Sequence, residues 1–287
     1  MLKTRIITAT VLLAGLLVAL FYFPMSIWLG FCAAICALLG WEWGGLAGWG
    51  EKARVAYGTA LGCLCFILVP GLFQLYPGLL PKILQRTVFS LFLLAGVFWL
   101  FVVPFWLRYK WPLRNWIAAL TGVIVLVPPI LIFIVLRTPE DRWSLLMVCA
   151  LVWVADIAAY FFGRAFGVKK LAPNISPGKT WAGAIGAVMG VLLYGNAILF
   201  AVTSDGTLRF GVQQVLLFQL AFIGLAVMSI VGDLFESLLK RQAGVKDSSN
   251  LLPGHGGILD RVDSLTSTLT LIGLVILSQS SYLFRHP

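Results

Sequence analysis

Apolar residues run along this chain in nearly continuous stretches of about 18 to 23 positions, and the charged residues fall in the short segments between them. A run of that length crosses a hydrocarbon core of about 30 Å as an α-helix, and a helix satisfies its own backbone there. The pattern therefore predicts an all-α polytopic integral membrane protein, and the period-two alternation of a β-barrel is absent. Nine transmembrane helices follow: Ile6 to Phe23, Ser26 to Leu46, Val55 to Tyr76, Val88 to Leu107, Trp116 to Leu136, Leu145 to Phe162, Trp181 to Val202, Gly211 to Gly232 and Ser264 to Tyr282. The first reads as a retained helix rather than a removed signal peptide. Pro128-Pro129 predicts a kink in the fifth. Ser264, Thr266, Ser267, Thr268 and Thr270 dilute the start of the ninth.

These spans group as an N-terminal block, 1–86, with spans one to three, a middle block, 87–143, with spans four and five, and a C-terminal block, 144–287, with spans six to nine. No internal repeat, long linker or low-complexity tract interrupts them.

Composition agrees with the pattern: of 287 residues 60% are hydrophobic and 11% charged, and the mean hydropathy is +0.97. The net charge of +10 would suit nucleic acid or anionic lipid, and placement decides between them. With a cytoplasmic N-terminus, 15 of the 21 Lys and Arg fall on the cytoplasmic side. That bias follows the positive-inside rule and points to lipid phosphates, with no nucleic acid as partner. Trp41, Trp43 and Trp49 read as an interfacial belt, and Glu42 beside them as a solvated or snorkelling carboxylate. Cys32, Cys36, Cys63, Cys65 and Cys149 all lie inside apolar runs, where a thiol acts as a small hydrophobe.

The exception to this apolar background is Ser237 to Asp263, SLLKRQAGVKDSSNLLPGHGGILDRVD. It gathers Lys240, Arg241, Lys246, Arg261, Asp247, Asp260, Asp263 and His255 around a Gly-rich turn. Asp233, Ser237 and Lys240 are spaced i, i+4, i+7 and share one face of a helix continuing from span eight, with Glu236 on its flank. Asp260 and Asp263, at i, i+3, are neighbours at the exposed start of span nine, and adjacent carboxylates repel unless a cation or protons lie between them. Oxygen ligands without Cys point to Mg²⁺ or a similar hard ion. The glycines of PGHGG let the backbone approach an anion, and His255 would hold a phosphate or cap the turn. Lys179, in SPGKT, has the form of a cation reaching a phosphate, although the GxxxxGK[ST] spacing of a P-loop is missing. Asp156, inside span six, is expected to face the bundle interior or a wet cavity.

The run S-x-L-K-R-x4-K-D-x-S-x2-L-P-x-H-G-G-I-x-D-R-V-D from Ser237 to Asp263 resembles the signature of the phosphatidate cytidylyltransferases, also called CDP-diacylglycerol synthases. DIAAYFFGR, ISPGKTWAG and VGDLFES upstream resemble the same family, so the similarity covers at least residues 150 to 270. Two places depart from the commonest form: Ile157-Ala158 for Thr-Gly, and Ala182 for Glu. The resemblance implies transfer of the cytidylyl group of CTP to phosphatidic acid, with Mg²⁺ as cofactor and room for a second cation. It implies a homodimer in a bacterial inner membrane, with the site at the cytoplasmic ends of the C-terminal helices. It carries Asp233, Asp260 and Asp263 over as metal ligands, and Asp233, Lys240, Asp260 and Asp263 form the expected catalytic set. Lys179, Ser237, Arg241, Lys246, His255, Arg261 and Asp156 are expected to bind or orient the substrates. Two other readings stay open at this point: a CTP-dependent lipid kinase, which would release CDP, and a secondary transporter with Asp156 and Asp233 in its pathway.

Overall fold

The computed structural model describes residues 2–73, 79–138, 141–204 and 209–283; Tyr76, the expected end of span three, and Arg285 lie outside them. In chain order the elements are α1 (Leu2–Tyr22), α2 (Met25–Leu46), α3 (Glu51–Leu68), the single turn α4 (Pro70–Phe73) and α5 (Leu79–Val97). A π-helical turn, Phe98–Val102, leads into α6 (Val103–Tyr109) and α7 (Asn115–Val135). Then follow α8 (Trp143–Phe166), the antiparallel hairpin of β1 (Lys170–Ala172) and β2 (Ser176–Thr180), α9 (Trp181–Thr203), α10 (Val212–Gln242) and α11 (Leu259–Leu283). Among the described residues eight helices are long and apolar enough to cross a membrane, and the apolar stretch Ile6–Tyr22 of α1 accompanies them. The protein is a polytopic, nearly all-α membrane protein, as the hydropathy pattern predicts.

α7 forms the centre of the bundle because it is apolar all round. Ala118, Leu126, Val127, Leu131 and Ile132 are fully buried, and α7 packs on α2, α5 and α11. The Pro128-Pro129 pair lies inside this helix without ending it. Beside it, α2 and α3 approach closely at Gly40 and Gly58, where a Cβ on Gly58 would strike the carbonyl of Ala37. Small residues let helix backbones pack by dispersion where lipid supplies no hydrophobic drive. The buried thiols of Cys36 and Cys65 meet at 3.3 Å in the same seam.

Two local expectations are corrected. Trp43 does not belong to an interfacial belt: it is 1% exposed, and its indole N–H donates to the Ala118 carbonyl at 2.8 Å. The Ser and Thr residues of the last span are buried within it rather than marking its edge. Thr266, Thr268 and Thr270 return their hydroxyls to carbonyls of their own helix, and Ser267 donates to Met228 O of α10 at 2.7 Å. Hydroxyls bonded in this way enter an apolar core without an orphaned donor. As expected of a helix continuing from span eight, α10 runs on past Gly232 to Gln242, and its 31 residues make it about 46 Å long, well beyond a hydrocarbon core of about 30 Å.

Connections at the two ends of the bundle differ. At one end Arg137, 2% exposed, donates to the carbonyls of Leu20 and Phe23, and Arg142 donates to Phe21 O. Cations thus meet the orphan carbonyls where α1 ends. The Asp141 carboxyl caps α8 there, accepting from the amides of Trp143 and Ser144 at 2.9 and 3.1 Å, and these bonds with the Ser144 hydroxyl hold it below the usual carboxylate range. At the other end lie the end of α2, the β-hairpin, the end of α10 and the start of α11, tied by bonds described next.

Candidate functional site

The hairpin and two helix ends position the polar residues. Thr180 closes β2 and caps α9, its hydroxyl accepting from Gly183 N at 3.1 Å. This fixes Lys179, one residue earlier, against α10, where its ammonium lies 2.7 Å from Asp233 Oδ2. Ser237, one turn on, donates to Asp233 Oδ1 at 3.2 Å. Lys240, a further turn along, reaches Glu236 at 3.2 Å and Asp260 of α11 at 2.6 Å. The predicted i, i+4, i+7 face is therefore real; Asp233 on it meets β2 and Lys240 meets α11.

Between α10 and α11 the chain turns through Leu252 to Gly256, where Leu252 N donates to Gly256 O at 2.8 Å and His255 N to Leu252 O at 2.9 Å. Gly254 and Gly256 sit at φ 76° and 82°, a left-handed geometry that side chains disfavour. The turn brings its amides back onto the first turn of α11.

Asp260 and Asp263, equivalent in the sequence pattern, have opposite surroundings. Asp260 Oδ2 accepts from Ser248 N, Gly257 N and Ser248 Oγ at 2.8, 2.8 and 2.9 Å, while Oδ1 holds Lys240. It is buried, not exposed as its place at the start of span nine implied, and both oxygens are engaged by protein donors. Asp263 instead lies among acids. Its Oδ1 accepts from the amide of Ser264 at 2.8 Å, and Asp233, Asp156 and Glu236 are within electrostatic reach of it. Glu236 Oε1 is buried with no donor among the described residues. Carboxyls in that relation require a proton or a cation between them.

Two cavities adjoin this cluster. One, of ≈ 490 Å³, is lined by Asp156, Tyr160, Arg164, Lys179, Ile230 and Asp233 among others; Asp156 therefore faces a cavity, as expected. The other, of ≈ 520 Å³, is lined by Lys246, Asp247, Asn250, His255 and Arg261 with the Gly-rich turn. His255 Nδ1 is buried without a hydrogen-bond partner among the described residues. Arg261 also edges a smaller apolar cavity between Leu39, Phe133, Trp153, Val262 and Leu269. Arg241 is exposed and lines none of the three. Pattern reading missed Glu42: far from being solvated, it is 0% exposed and bonded to Ser248, Ser249, Ile258 and Leu259.

Among the described residues no three His, Cys, Asp or Glu side chains form a ready metal cage. Mg²⁺ is commonly held by one or two carboxylates together with substrate phosphates. The oxygens available are those of Asp263, of Glu236 Oε1, which has no donor among the described residues, and of Asp233, which would have to share Lys179 and Ser237. Asp260 fits less well, because a metal would displace one of its four protein donors.

Carboxylates and ammonium groups gathered at one end of a membrane bundle, between two cavities, define a polytopic membrane enzyme that handles phosphates. The sequence matches the cytidylyltransferase family over residues 3–278, and the chain belongs to that family. It is 40% identical to the phosphatidate cytidylyltransferase of Pseudomonas aeruginosa over 96% of this chain and 97% of that protein. Identity to the phosphatidate cytidylyltransferase of Haemophilus influenzae is 37%, over 94% and 96% of the two chains. For that of Thermotoga maritima it is 32%, over 92% of each.

Proposed function

We propose that this chain transfers the cytidylyl group of CTP to phosphatidic acid, giving CDP-diacylglycerol and pyrophosphate. The observation that carries this reading is the near full-length family match, whose signature residues converge on one cluster from α8, β2, α10 and α11. A phosphate monoester has a second pKa of about 6, so the lipid phosphate is already largely dianionic at neutral pH. One of its oxygens forms a bond to the α-phosphorus of CTP as the bond from that phosphorus to the bridging oxygen breaks. Pyrophosphate leaves with the electron pair. No strong general base is required, and the site must supply alignment and charge neutralisation.

Lys246, Arg261 and His255, around the polar cavity, suit the triphosphate. Lys179, with Asp156 and Ser237 near it, suits the lipid phosphate in the half-apolar cavity, and the apolar space beside Arg261 suits acyl carbon. Lys240 pairs with both Glu236 and Asp260, and Arg241 on the exposed face adds charge that attracts the nucleotide. Asp233 and Asp263 would hold Mg²⁺, with Asp260 as the third carboxylate of the expected set; the ion, with or without a second cation, would neutralise charge on the phosphates. The basic bias of one side supports a cytoplasmic site and N-terminus in a bacterial inner membrane, and the homodimer follows from the resemblance.

Purified protein in lipid nanodiscs is incubated with labelled CTP, phosphatidic acid and Mg²⁺. CDP-diacylglycerol and pyrophosphate in equal amounts are the expected products. Release of CDP, or no product, overturns the proposal. Native mass measurement of the same nanodiscs checks the dimer.

A further inference from the structure

Among the described residues Glu42 is the one buried carboxylate that comes from the N-terminal helices and is bonded into the signature segment. It lies near the end of α2, fully buried. Its Oε1 accepts from Ser249 Oγ at 2.6 Å and Ile258 N at 2.9 Å; its Oε2 accepts from Leu259 N at 2.7 Å and Ser248 Oγ at 3.2 Å. Ser248 Oγ also lies 2.9 Å from Asp260 Oδ2, and because a hydroxyl has one proton it serves one carboxylate at a time. Glu42 and Asp260 therefore grip the same serine from opposite sides. No cation pairs with Glu42 among the described residues, so its charge is met by hydroxyl and amide dipoles and by the N-terminus of α11. The fit is tight, since a Cβ at Gly257 would strike both Ser248 Oγ and the Glu42 carboxyl.

A side chain that only filled space would need no charge here. A carboxylate accepting from both limbs of the turn closes it: Ser248 and Ser249 lie before Gly254, Ile258 and Leu259 after it. Lys246, His255 and Arg261, which line the polar cavity, are borne on those limbs, and Asp263 follows one turn later. We propose that Glu42 is a positioning residue for cytidylyl transfer, acting as a clasp from the N-terminal helices that holds the signature turn and the first turn of α11 in register. The proposal rests on the functional reading above and adds to it a residue outside the resemblance.

The test compares wild type with Glu42→Gln, which keeps the shape and replaces one acceptor oxygen by a donor facing donors. Glu51→Gln, at an exposed ion pair with Arg54, is the matched control. The expected result for Glu42→Gln is a folded protein whose kcat/KM for CTP falls by about 100-fold, the scale of loss from a displacement of about 1 Å. KM for CTP rises while KM for phosphatidic acid stays within about twofold. Hydrogen exchange without substrate accelerates over 247–259 and nowhere else. If Glu42→Gln does not fold, the double variant Ser248→Ala/Ser249→Ala loosens the same turn from the other side, with the same pattern in smaller measure. Wild-type kinetics with unchanged exchange in the folded variant overturns the clasp, as does a rise in exchange spread over the whole bundle. A wild-type protein inert toward CTP and phosphatidic acid sinks the functional reading instead, and the substrate-free exchange then decides the clasp by itself.

Discussion

Asp260 and Asp263 stand one helical turn apart, yet the regions around them are built on opposite principles. Around Asp260 every acid oxygen is answered by a donor: Lys240, two amides and a serine, with Glu42 saturated next to it. Around Asp263 acids face acids, with Asp233, Asp156 and Glu236 in reach and one Glu236 oxygen unanswered. The contrast separates two tasks that a shared motif conceals. The saturated region holds backbone in place, and its carboxylates are spent on protein donors. The unsaturated region is the one that, under the proposed function, a substrate with its cation would complete.

Four experiments bear on that division, from the largest effect to the smallest. Chelation of divalent ions should reduce turnover to background, with recovery on adding Mg²⁺, while hydrogen exchange over 247–259 stays unchanged because the saturated region needs no ion. Loosening of that turn by chelation alone would merge the two regions. Asp263→Asn should lower kcat by about 10³-fold with no loss of thermal stability, since it removes a like charge from a crowded set; a lowered melting temperature would show it to be a structural acid. Asp260→Asn should cost about 100-fold in kcat/KM and about 3 kcal/mol of stability, the scale of breaking a buried ion pair. If its melting temperature matches wild type, the distinction between the two aspartates fails. Lys179→Ala, at a pair partly open to solvent, should raise KM for phosphatidic acid by about tenfold and move stability by less than about 1 kcal/mol; a change confined to CTP would exchange the roles of the two cavities.

Much of the fold is legible from hydropathy, because a bilayer admits so few backbone solutions that run length alone places the helices. Part of the site is legible too. The i, i+4, i+7 spacing of Asp233, Ser237 and Lys240 needs only local helix geometry, and it survives in the observed contacts. What escaped prediction depends on partners distant in the chain. Glu42 sits in WEWGG, a context that reads as a membrane interface until Ser248 and Leu259 are seen against it. Trp43 likewise turns inward only because Ala118 of α7 offers a carbonyl. Asp260 and Asp263 share a motif and a spacing, so only the three-dimensional donors around each tell them apart. The hydroxyls of Thr266 to Thr270 were read as polar dilution because composition does not record that a helix can absorb its own hydroxyl protons.

The bonds from Glu42 to the amides of Ile258 and Leu259 join residues 216 and 217 positions apart. At a synthesis rate of about 5 to 20 residues per second, α2 leaves the ribosome on the order of 10 to 40 s before its partners exist. For that interval the N-terminal helices can insert and pack around α7, but the clasp has nothing to close on. The order of events is therefore written into the chain: the scaffold can assemble early, and the end of the protein that bears the signature segment takes its final shape only after the last helix begins to emerge. A ribosome that stalls before Leu259 leaves an inserted protein without the chemistry.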